Sequence, residues 1–242
     1  MRDILLKSRE TAESRSRLLD ETVKTWYHVL TRKDSLKGQR ESFSGTFSVL
    51  GINRERIKLM EALQMNGTIE DVINREDHAE LIDGKLIISD KATISHNNAV
   101  VEITSSLKQF IKSSQGNCKV FAENAALYCN ELCDSNNNFF LPDVMTVCDE
   151  TGIKEDGIHV APVFVAEVTS ESTKKQDYGR KMVVYGEIGV QEYWVVDLQR
   201  KVILRYLSKN DFVPELISYP NTRFISVYSY PGLDIDLTGI FD

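Results

Sequence analysis

Residues 163–197 read VFVAEVTSESTKKQDYGRKMVVYGEIGVQEYWVVD, and the order of textures in this stretch decides the fold class. Residues 163–169 form a short, nearly all-apolar run, the pattern of a strand covered on both faces. Residues 174–188 are long enough for a helix, which Gly189 stops. A second apolar strand follows at 192–196. Strand, helix and strand in this order predict an α/β domain with a mixed sheet flanked by helices.

Working outward, further strands are expected at 118–122, 125–129, 139–148 and 202–207, with a weaker one at 212–218. The stretch 130–138 has loop composition. From 95 to 113, Val100, Ile103, Leu107, Phe110 and Ile111 mark one face of a helix. Residues 79–88 read as two short strands about Asp83-Gly84, a dipeptide that tolerates positive φ at both centres of a type I′ turn. Thr68 is placed to cap a short helix over 70–74. Residues 1–66 differ: two helix-compatible segments, 3–33 and 54–64, flank a break at Ser42, Ser44 and Gly45. They are expected to be a helical N-terminal extension to a domain spanning 67–242.

Composition narrows the classes. The chain has 242 residues, 42% apolar and 27% charged, as in a soluble globular protein. No apolar run approaches the roughly 20 residues that span a bilayer, so no membrane partner is expected. The opening MRDILLKSRE lacks the apolar core of an export signal, which points to the cytoplasm. Four cysteines make no disulfide framework, and Cys129-x₃-Cys133 is a zinc half-site without a second pair. No Gly-rich phosphate loop and no nucleophile-elbow glycines are present. The charge of −7 is uneven. Residues 1–66 carry 13 Lys/Arg against 9 Asp/Glu, a net of +4, which leaves −11 for the remainder. Such an acidic domain needs a metal ion or a local basic patch to handle polyphosphate.

Chemistry is expected where charge interrupts apolar strands. Asp143 follows Phe139-Phe140-Leu141-Pro142 and precedes Val144-Met145-Thr146-Val147; Glu167 sits inside 163–168. A buried carboxylate is costly unless it is paired, protonated or bound to a cation. Two on neighbouring strands suit a divalent ion with hard oxygen ligands. A Lys or Arg partner, or a strand end in water, would serve each one alone.

Pro142-Asp143 in one strand and Glu167 in the next resemble the metal-binding half of the PD-(D/E)XK nuclease superfamily. AELIDGKLI at 79–87, His96, LPDV at 141–144, AEVTSEST at 166–173, Asp177, Lys181 and YGEIGVQEYWVVD at 185–197 narrow the resemblance to the Uma-two family of restriction-endonuclease-like proteins, over about 68–242. The resemblance implies a restriction-endonuclease-like mixed central sheet and Mg²⁺-dependent (or Mn²⁺-dependent) hydrolysis of DNA phosphodiester bonds. By the same resemblance Asp143, Glu167 and the Val168 carbonyl hold the metal, and Asp143, Glu167 and Lys181 form the catalytic set. Two departures stand out. Thr169 occupies the superfamily's lysine position, which makes Lys181, on the next helix, the substitute. Ser170-Glu171-Ser172-Thr173 lacks the family's proline. Glu80, His96 and Asp177 are secondary candidates. Glu80 reads either as a second metal-site carboxylate or as an exposed strand charge. Tyr185, Glu192, Tyr193 and Trp194 read as packing residues, and Lys174 as a solvent-facing start to the helix. The alternative function is a catalytically weak descendant of the fold, used in nucleic-acid binding or assembly. A homodimer and the choice between DNA and RNA stay open.

Overall fold

A computed structural model describes residues 67–75, 77–89, 91–133, 137–170, 173–174 and 176–242. The helical extension expected over 1–66, and with it the domain boundary at 67, lies outside the described residues on its N-terminal side. Helix α1 (Ile69–Ile73) begins at a capping box in which Thr68 and Asp71 satisfy each other's backbone N–H. Strands β1 (Ala79–Ile82) and β2 (Lys85–Ile88) pair antiparallel about Asp83 (φ 51°) and Gly84 (φ 73°), the expected type I′ hairpin. Helix α2 (Ile94–Ser113) is capped by Thr93, whose hydroxyl accepts from the His96 N–H.

The remaining strands are β3 (Lys119–Ala122), β4 (Val144–Val147), β5 (Ile153–Lys154), β6 (Gly157–Ile158), β7 (Phe164–Val168), β8 (Glu192–Asp197), β9 (Val202–Leu207), β10 (Glu215–Ser218), β11 (Phe224–Ser226) and β12 (Asp234–Asp236). Six of them make the central sheet, in the order β10-β9-β8-β7-β4-β3. Only β7 and β8 are parallel, so the sheet is mixed, as expected. Between them runs α3 (Lys181–Ile188), ended by Gly189 at φ 91°. The turn before α3 widens to π geometry over Gln176–Arg180. This gives a mixed α/β fold. Among the described residues no helix is long and apolar enough to cross a membrane.

Alternation along the strands sorts side chains between two faces. Val144, Phe164, Ala166, Val168, Trp194 and Val196 pack with Ala99, Val100, Ile103, Leu107 and Ile111 of α2. The C-terminal segment, with Ile225, Val227, Ile235 and Leu237 and helix α4 (Thr238–Phe241), completes that core. The intervening strand residues face α3, where Tyr193 meets Tyr185 at 4.8 Å between ring centres.

Three expectations are corrected. No strand forms over 125–129: Leu127 makes single bridges to Phe140 and Ile158, then the chain tightens into a turn at Cys129–Glu131. The strand expected over 139–148 begins only at Val144. Phe139 bridges Leu81 and Phe140 bridges Leu127, because successive residues of an extended chain turn their backbone polar groups to opposite sides. Pro142 then supplies no N–H to continue a ladder. Finally, Cys118 and Cys148 are bonded: the register Lys119↔Val147 sets them directly opposite, with Cα atoms 4.0 Å apart. Cys129 and Cys133 are not part of that disulfide, and no group of metal-ligating side chains among the described residues includes either.

Candidate active site

Glu167 lies on the α3 face of β7 and is 3% exposed. Lys181 opens α3, and its Nζ lies 3.0 Å from Glu167 Oε1, 2.9 Å from Glu80 Oε2 and 3.5 Å from Asp177 Oδ1. One buried ammonium thus faces three buried carboxyl groups. Asp177, within the π turn, and Lys181, directly after it, are four residues apart and share the face turned to the sheet. One turn further, Tyr185 donates its hydroxyl to Glu167 Oε1 at 2.6 Å. Glu80 accepts from the Leu141 N–H at 2.8 Å, which ties the β1 strand to the segment leading into Asp143. The Tyr193 hydroxyl donates to the Asp177 carbonyl oxygen at 2.9 Å.

Burial pushes the Glu167 carboxyl well above its usual range; Lys181 opposes the shift, while Asp143, Asp177 and Glu80 reinforce it. Asp177 is raised to about 6, again by burial first, with Lys181 and Thr173 pulling the other way. Burial alone would discharge Lys181, but Glu167, Glu80 and Asp177 outweigh it and hold the ammonium protonated. With one cation facing three carboxyls, burial and mutual repulsion favour the protonated forms of Glu167 and Asp177.

Asp143 sits at the mouth of this cage, just ahead of β4. The β4–β7 ladder ends at Val144↔Ala166, and beyond it the Val168 N–H donates to Asp143 Oδ2 at 2.7 Å. His96, in the first turn of α2, brings Nε2 to 3.2 Å from the same oxygen. Its Nδ1 lies 3.9 Å from Glu123 Oε1. Glu123 is held nearby through its N–H to the Asp143 carbonyl oxygen at 3.1 Å. Burial works against the charged imidazole, but Asp143 and Glu123 prevail and raise the His96 pKa.

The structure therefore brings together Asp143, Glu167, Val168 and Lys181, and adds Glu80, Asp177 and His96. Glu80 is 2% exposed, so the exposed-charge reading of that residue is wrong; the Lys181 ammonium makes its burial tolerable. Tyr185 is more than a packing residue, because its hydroxyl reaches Glu167. The signal was its spacing of four from Lys181, which puts the two on one helix face. Glu123 carried no local signal and arrives only through the β3–β4 pairing. Lys174 does not face solvent freely: it approaches the fully buried Asp197 at 3.5 Å and donates to Gln199 at 3.1 Å. Thr169 is buried, with no hydrogen-bond partner for its hydroxyl.

A family model described as "Uma2: Putative restriction endonuclease" matches residues 61–238. The chain belongs to the Uma2 family. Among solved structures it is similar to one titled as a "putative nuclease belonging to DUF820" from Anabaena variabilis ATCC 29413. The two share 19% identity at a TM-score of 0.54, over 76% of this chain and 96% of that one, a likeness of fold. No curated protein matches. Within this Uma2 chain the donor chemistry fits a hard divalent cation. The mutual repulsion of Asp143 and Glu167 would be relieved by one. The side-chain contacts of Asp143 fall on Oδ2 and those of Glu167 on Oε1, so each keeps one uncommitted oxygen among the described residues.

Proposed function

We propose that this chain is a divalent-metal-dependent nuclease that hydrolyses DNA phosphodiester bonds in the cytoplasm. Asp143, Glu167 and the Val168 carbonyl hold Mg²⁺ or Mn²⁺. The observation that carries this reading is the Lys181 ammonium lodged between Glu80 and Glu167, with Asp143 tied to the next residue, Val168. It supplies the lysine that Thr169 lacks, from a different backbone position. The family description supports nuclease chemistry in the same direction.

A bound cation would polarise a phosphoryl oxygen and lower the pKa of a water on it. The protein's own groups prepare that site. Lys181 and Tyr185 fix one oxygen of Glu167, and the Val168 N–H and His96 fix one of Asp143. Glu80 anchors Lys181 from the hairpin side. Because the Lys181 side chain is only 3% exposed, it acts through Glu167 rather than on the scissile phosphate itself. In a reducing compartment, Cys118 and Cys148 would be thiols rather than a disulfide.

The test is cleavage of supercoiled plasmid with Mg²⁺ or Mn²⁺, wild type beside Asp143→Asn. The variant should lose cleavage and bind metal more weakly by calorimetry while its circular dichroism stays native. Wild-type cleavage with unchanged metal affinity would overturn the site. The closed cage and the −11 charge favour, as second reading, a catalytically weak module for nucleic-acid binding or assembly. DNA retention by wild type without turnover would select it.

A further inference from the structure

We propose that Cys118 and Cys148 form a thiol–disulfide switch, worked by exchange with a low-molecular-weight disulfide. It fastens or frees the edge strand β3 and, with it, the backbone of Asp143. The site it governs is the proposed nuclease centre, so its effect on cleavage rests on that reading; the switch itself stands on separate observations.

The first is placement. β3 closes one end of the central sheet and pairs there with β4 alone. It has four residues, of which the first and last are exposed and none is fully buried. Opening such a strand exposes little apolar area, which puts it at the low end of local stability. The register sets Cys118 opposite Cys148 just outside the Lys119↔Val147 pair, so the bond clamps one end of the β3–β4 ladder. The ladder's other end is Ala122↔Val144, and just beyond it the Glu123 N–H donates to the Asp143 carbonyl oxygen at 3.1 Å. Asp143 is thus held from the β3 side by that bond and from the β7 side by the Val168 N–H. Opening β3 removes the first of these.

The second observation is access. Cys118 and Cys148 are both half-buried, within reach of a small disulfide. Cys129 is fully buried, and burial pushes its thiol well above the usual range, which keeps it out of exchange.

The third is what the bond encloses. The loop from Cys118 to Cys148 contains Asp143, the bridges at Phe139 and Phe140, and the Leu141 N–H that bonds Glu80. A cross-link over a separation of 30 residues shifts the unfolding equilibrium by about 10²-fold or more. Oxidation proceeds in two displacements. One cysteine thiolate attacks a sulfur of the incoming disulfide and expels one thiolate; the second cysteine attacks the mixed disulfide and expels the other. The cysteine pair loses two electrons and two protons, and the incoming disulfide leaves as two thiols.

The test equilibrates the tag-free full-length chain at graded ratios of glutathione to glutathione disulfide, quenches it by alkylation and maps the cysteines by peptide mass. The pair should pass from dithiol to disulfide within that range. The amides of Val120, Phe121 and Ala122 should exchange hydrogen about tenfold or more slowly in the disulfide form. Cys148→Ser should exchange like reduced wild type at every ratio. A pair that stays dithiol, or stays disulfide, throughout overturns the switch, as do equal exchange rates in the two wild-type forms. Where plasmid is cut, the disulfide form should cut it about tenfold faster, and equal rates overturn the link to Asp143. Failure of the nuclease reading would look different: redox-dependent exchange intact, with no plasmid cleavage by either form at any Mg²⁺ or Mn²⁺ concentration.

Discussion

On the α2 side of the central sheet, Val144, Phe164, Ala166, Trp194 and Val196 meet Ala99, Val100, Ile103 and Leu107 in an apolar contact. The buried carboxylate there, Glu192, accepts from neutral donors of Trp194 and Ser229. On the α3 side, the alternate residues of the same strands meet Lys181, Asp177 and Tyr185, and the central contact is an ammonium among carboxylates. Both faces are buried to the same degree, by opposite means. Apolar burial stabilises in proportion to area and tolerates small shifts. A buried ion cluster must recover the desolvation of every charge through geometry, and often contributes little net stability over a well-packed apolar replacement. A face built only for stability would resemble the α2 side. The α3 side keeps carboxylates fixed at the end of a strand, which is what a metal-dependent site requires.

Substitutions on the two faces should separate these roles. Lys181→Ala removes the ammonium that faces three buried carboxyls and should destabilise the protein by about 3–5 kcal/mol in urea titration. It should also cut cleavage per folded molecule about 10- to 100-fold, through the orientation of Glu167. Adding Glu80→Gln should restore part of the stability but not the activity. If Lys181→Ala is as stable as wild type, the cage is not the electrostatic unit described. Ile103→Ala, in the apolar face, should cost a comparable amount, about 2–5 kcal/mol. Its metal affinity and cleavage rate per folded molecule should stay at wild-type values. A changed metal affinity there would show that the two faces are not independent. Tyr185→Phe should be milder, about 1–3 kcal/mol, since one hydroxyl bond to a carboxyl is lost without leaving a charge unpaired. A weaker metal affinity in that variant would mark the hydroxyl as a positioning group for Glu167. The smallest effect is expected from removing residues 1–66: a chain of 67–242 should keep the circular dichroism and metal binding of its domain. An insoluble or unfolded product would place the extension within the core.

How much of this was legible varied with distance along the chain. The hairpin about Asp83-Gly84, the helix from Ile94 and the stop at Gly189 rest on near neighbours, and the structure has them where expected. The strand read over 125–129 failed because its apolar residues are buried singly, between partners that no local pattern encodes. Asp143 and Glu167 stood out because charge inside an apolar run is anomalous in any fold, whereas Lys181 stood out only through the family resemblance. Glu123 sits in an ordinary polar stretch, and nothing near it in sequence marks it.

The sequence by itself determined the alternation of the strands, the caps and turns, and the placing of two carboxylates within or beside apolar runs. Those follow from side-chain volume, hydration and the backbone freedom of a few residues, all of which act locally. Only the tertiary structure decided that one ammonium would serve Glu80, Glu167 and Asp177 together, and that Cys118 would meet Cys148. It alone also set His96 between Asp143 and Glu123. Each of these depends on contacts between elements far apart in the chain, and for the strand carboxylates Glu80 and Glu167 a register shift of one residue would turn the side chain to the other face.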